Sequence, residues 1–151
     1  MANEAAFTGS PLTDLGRRLL KQPGMGAVIE RLQHSRAATV VSSWGSSASL
    51  VISALNQRAP SSIIVVLPRE REVDEFAADV RSFGISCGSE SKSSETSPSN
   101  ALHLLSSWPS LPSELSITDP VLGNRLKLLR AFESTTPPRI VITTISALMQ
   151  P

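Results

Sequence analysis

A chain of 151 residues, 40% of them apolar, has room for one domain with a core of its own. Its 14 basic and 13 acidic side chains leave a formal net charge of +1, and its aromatics amount to 4% with no tyrosine. That balance argues against a strongly electrostatic nucleic-acid binder and leaves few platforms for base stacking. The single cysteine, Cys87, excludes an intramolecular disulfide and a Cys-pair zinc site. With no apolar run of membrane-spanning length and no basic-then-apolar leader, the expectation is a soluble, cytoplasmic protein without a membrane partner.

Residues 1–10 carry no periodic pattern and are expected to form a flexible N-terminus, ahead of an α/β domain over 11–150. Leu12, Leu15, Leu19 and Leu20 recur at helical spacing, with Asp14 near the start, Lys21 near the end and Pro23–Gly24 as the stop. Met25, Val28, Ile29 and Leu32 predict a second amphipathic helix ending near His34. Ala37 to Val41 is a short apolar run and the first predicted strand, followed by a helix over Ser49 to Asn56. Ser62 to Leu67 is the strongest strand; it is continuous rather than alternating, which predicts burial on both faces. Pro68 ends it. Glu70 to Phe83 reads as a helix with Val73, Phe76, Ala77 and Val80 on one face and Gly84 as its stop. The alternating charges of Arg69 to Glu72, with Asp74 and Glu75, read as its solvated side.

Serine accounts for 25 residues and is dense between 88 and 100. That stretch lacks the apolar surface to offset its ordering entropy and is expected to be a flexible loop. Ala101 to Leu105 is a weaker third strand, Pro120 to Phe132 a helix, Arg139 to Thr143 the fourth strand, and a short helix follows from Thr144. Apolar strands separated by amphipathic helices predict a parallel sheet flanked by helices on both faces.

In such a fold the turn after the first strand is where phosphates bind. A phosphate-binding loop reads G-x-x-x-x-G-K-[ST]: its amides cradle the phosphate, its lysine neutralises charge and its hydroxyl holds the metal. Here Ser42 stands for the first glycine, Ser47 for the second and Ala48 for the lysine; Ser49 alone keeps the functional group, with Gly45 between them. Two readings follow: a vestigial loop, or an ordinary turn with serine caps.

Other chemistry is thin. His34 and His103 are the only histidines, and their spacing with the acids suits no metal site. No G-x-S-x-G elbow is present. Cys87 reads as a plain thiol beside the serine-rich stretch. Arg17, Arg18 and Lys21 share one helix and Arg125, Lys127 and Arg130 another, and near-neutral charge makes solvation their default role. Trp108 with Leu111 and Pro112 in a proline-bounded loop has two readings, packing under the sheet edge, which is the default, or part of a partner surface.

The order of the later segments carries a resemblance. Trp108, Leu111, Pro112 and Glu114 match a Trp-x-x-Leu-Pro-Tyr-Glu-like segment, with Ser113 where an aromatic residue is usual. Arg125, Leu126 and Leu129 match an Arg-Leu-x-x-Leu-like helix, and Ala147 to Gln150 an Ala-Leu-Met-Gln-like helix start after a hydrophobic strand. This resembles the N-terminal, UvrB-like region of the bacterial transcription-repair coupling factors, over roughly Leu12 to Gln150. The resemblance implies a RecA-like or UvrB-like core with a degenerate phosphate loop, and no catalytic, metal or cofactor-binding residue in this chain. ATP and magnesium would belong to the motor of a longer parent protein, an ATP-dependent DNA translocase. RNA polymerase, UvrA and DNA would be engaged through that parent. The domain contacting UvrA would begin beyond Pro151, so the chain is expected to be a fragment. The alternatives are an active P-loop-type nucleotide-binding enzyme with an atypical loop, and a stand-alone interaction domain.

Overall fold

The structure, a computed structural model, describes residues 12–34, 37–85, 102–108 and 120–150. The expectations for residues 1–10, for the serine-rich stretch 88–100 and for Cys87 lie outside them.

Helix α1 (Leu15–Leu20) follows Asp14, whose carboxylate pairs with Arg18 Nε one turn on at 3.0 Å. Pro23 does more than stop it. It opens α2 (Pro23–Gln33) at a position where its fixed φ suits a helix and its missing N–H is no loss. Helix α3 (Ser46–Asn56) starts one turn earlier than its apolar pattern implies. Strand β1 (Ile63–Leu67) leads through a single 3₁₀ turn at Glu70–Glu72 into α4 (Val73–Ser82), and Gly84 closes that helix at φ 90°. Strand β2 (Leu102–Leu105), helix α5 (Pro120–Glu133), strand β3 (Ile140–Thr144) and helix α6 (Ile145–Met149) complete the described chain.

The fold is α/β with a small parallel sheet of three strands in the order β1-β3-β2. The register pairs Ile63 and Leu102 with Ile140, and Leu67 with Thr144. β3 is central and buried at every residue, as its unbroken Ile-Val-Ile-Thr-Thr run suits. On one face Val65, Leu102, Ile140 and Ile142 meet Val73, Ala77 and Val80 of α4 together with Ile85. Helix α3 packs on α4, α1 on α3, and α5 against β2.

Two expectations are corrected. The run Ala37 to Val41 is irregular and takes no part in the sheet, and Val41 is 80% exposed. Strand propensity only describes fitness for a pleated surface, and this run has no partner strand among the described residues. β1 is not buried on both faces. It is an edge strand whose Ile64 and Val66 are 55% and 44% exposed, because α5 covers the sheet at β2, on the far side of β3.

Candidate functional site at the C-terminal edge of the sheet

All three strands run in one direction, so their C-terminal ends share one edge. The segments leaving β2 and β3 meet there the turn that follows β1. Glu70, in the 3₁₀ turn after β1, accepts three hydrogen bonds. Ser107 donates its main-chain N–H to Oε1 at 3.3 Å and its hydroxyl to Oε2 at 3.0 Å. Thr144 donates its hydroxyl to the same Oε2 at 3.0 Å. The Thr144 oxygen also accepts from the Ala147 N–H at 3.2 Å, capping α6. Beside it, Thr143 donates to the Leu105 carbonyl at 3.0 Å and ties β3 to the end of β2.

A second group lies alongside. Arg125, from α5, donates to the carbonyls of Ser106 (3.2 Å), Ala147 (3.3 and 3.4 Å) and Gln150 (3.1 Å). Its guanidinium stands 5.6 Å from the centre of the Trp108 ring, within cation–π reach. Gln150 accepts from the Trp108 N–H at 2.6 Å and returns its amide to the Trp108 carbonyl at 3.5 Å. Trp108, Arg125 and Gln150, read from sequence as parts of three separate segments, therefore form one cluster. Trp108 is half-buried, with the Arg125 guanidinium over its ring. Leu111, Pro112 and Glu114 lie outside the described residues.

Sequence reasoning missed Glu70, Ser107 and Thr144. Glu70 was read as part of a solvated face, yet it meets residues 37 and 74 positions away. Only strand register brings those positions together, and no local pattern signals it. Chemically the arrangement is a brace. One carboxylate and one guanidinium draw the ends of β2 and β3 onto α5 and α6, and no histidine shares the cluster. Hydrogen bonds to charged groups of this kind contribute about 1.5–3 kcal/mol each.

The serine-rich turn lies at the N-terminus of α3. Ser42 adopts φ 63° and Gly45 φ 51°, a left-handed path that glycine takes freely and serine at a cost of about 1–2 kcal/mol. Ser47 braces the turn: its hydroxyl accepts from the Trp44 N–H and donates to the Trp44 carbonyl, both at 2.7 Å, and lies 3.4 Å from the Ser43 hydroxyl. Trp44 itself is 83% exposed. Ala48 offers no charge, and Ser49 is fully buried with no hydrogen-bond partner for its hydroxyl among the described residues. This donor set does not fit a triphosphate with its metal. The expected ammonium is missing, one serine hydroxyl is occupied internally, and the other is sealed beneath the helix.

The histidines lie apart from both places. His34 caps the end of α2, its Nδ1 2.8 Å from the Glu30 carbonyl. His103 lies on β2, where burial pushes its imidazole pKa below the ordinary value. No group of three or more metal-ligating side chains occurs among the described residues, and no helix there is long and apolar enough to cross a membrane. No family model, no curated protein and no solved structure matches this chain.

Proposed function

We propose that the chain is a non-catalytic structural and interaction module with a UvrB-like, RecA-like core, the N-terminal part of a transcription-repair coupling factor. On this reading its parent is an ATP-dependent DNA translocase that displaces stalled RNA polymerase and hands the lesion to UvrA, and ATP and magnesium serve the parent's motor. The observation that carries the reading is the meeting of Trp108, Arg125 and Gln150. Each comes from a different one of the three resembling motifs, and they join α5, α6 and the end of β2 in one brace. The turn at 42–49, with Ala48 uncharged and Ser49 enclosed, supports a loop that has lost nucleotide chemistry. Helix α6 leaves Ile145, Leu148 and Met149 exposed, an apolar face that a neighbouring domain of the parent would cover.

The test is strand-resolved repair after ultraviolet damage in cells with the gene disrupted, paired with calorimetric titration of the chain with magnesium-ATP. The expected results are loss of the preference for the transcribed strand and no ATP binding that depends on Ser49. An intact strand preference overturns the repair assignment. Saturable ATP binding that Ser49→Ala abolishes overturns the non-catalytic reading in favour of a nucleotide-binding enzyme.

A further inference from the structure

At the other end of α3 from the serine-rich turn lies a cavity of about 450 Å³, between the ends of α3 and α4 and the start of α1. Its charged lining among the described residues consists of Arg17 and Arg139, with no acidic side chain. Arg139 is half-buried and anchored. Its Nη2 donates to the carbonyls of Asn56 at 2.7 Å and Ala59 at 2.9 Å, at the C-terminal end of α3. Those carbonyls carry only the partial negative charge of a helix end, so they orient the guanidinium without neutralising it. Its remaining N–H groups have no partner among the described residues. Arg17 has no ion pair there either, in contrast to its neighbour Arg18, which is held by Asp14. The buried Ser53 and the side chain of Gln57 add polar groups to the wall, and the Phe83 position closes one side. Gly16 lets α1 come this close: a β-carbon there would stand 2.9 Å from Gln57 Nε2 and 3.6 Å from Ser53 Oγ.

We infer that this cavity binds a small solute bearing an oxyanion, a phosphate or a carboxylate, gripped between Arg17 and Arg139. The planar guanidinium fork matches both groups in two-point fashion, and a half-buried arginine without a counter-ion is stabilised by a ligand that supplies one. The inference rests on the cavity alone and holds whatever the fate of the repair reading.

The experiment is isothermal titration of the intact chain with inorganic pyrophosphate and, separately, with citrate, repeated in Arg17→Gln, Arg18→Gln and Ser49→Ala. Saturable binding of at least one probe is expected, weakened tenfold or more by Arg17→Gln and unchanged by Arg18→Gln and Ser49→Ala. Pyrophosphate alone binding assigns a phosphorylated ligand, citrate alone a polycarboxylate, and both an oxyanion pocket of broad tolerance. No saturable binding of either probe overturns the inference. So does equal weakening by Arg17→Gln and Arg18→Gln, which marks diffuse charge attraction, and so does loss confined to Ser49→Ala, which moves the anion to the turn at 42–49.

Discussion

Gly84 ends α4 at φ 90°, and a β-carbon there would approach Thr13 Cγ2 to 2.9 Å. Backbone preference and close approach therefore demand the same residue. Gly84→Ala is expected to destabilise the fold by about 1–3 kcal/mol, read as a lower urea midpoint with unchanged slope; an unshifted midpoint would show that the turn relaxes freely. The glycine was legible as a helix stop, since the apolar period of α4 ends just before it. Its contact with Thr13 was not, because 71 positions of chain separate no pattern from any other. Ser49 teaches the converse. Its place in a phosphate-loop alignment suggests an outward hydroxyl, whereas the helix that starts at Ser46 turns it fully inward.

Among the elements, α6 depends on what surrounds it. Five residues are too few to hold a helix alone. Thr144 caps its start, and Arg125 binds carbonyls at Ala147 and Gln150. Arg125→Ala is expected to lower stability by about 2–3 kcal/mol and to raise amide exchange in α6 more than in α3. Arg125→Lys should restore less than half, since an ammonium cannot span three carbonyls and stack on an indole together. Equal exchange in the two helices would refute the brace. The helix itself was readable from Thr144 onward; the arginine that holds it, 22 positions from Ala147, was not.

For the whole molecule, pH offers a test through His103. Burial disfavours its protonated form in the folded state, so the folded pKa lies below that of the unfolded chain. As pH falls through about 6.5 the unfolded chain takes up a proton that the folded one resists, and stability declines. The decline ends once the lower folded pKa is passed. His103→Gln is expected to flatten stability across that window, measured by thermal melts between pH 5 and 7 (a range set by the ordinary imidazole pKa); an unaltered slope would place the effect elsewhere.

By itself the sequence determined the α/β class, the three strands of the sheet and the helices between them, because apolar periodicity and chain-stopping residues are local properties. It also determined the lack of charge in the turn at 42–49, since residue identity suffices for that. Tertiary structure alone decided that Ala37 to Val41 stays out of the sheet, that β3 is central while β1 lies at an edge, and that Ile64 and Val66 meet solvent. It alone brought Glu70 to Thr144, and set Arg17 and Arg139 in the lining of one cavity. The reason is that strand pairing and charge placement are fixed by long-range register, and a parallel sheet joins residues whose separation along the chain carries no periodic trace.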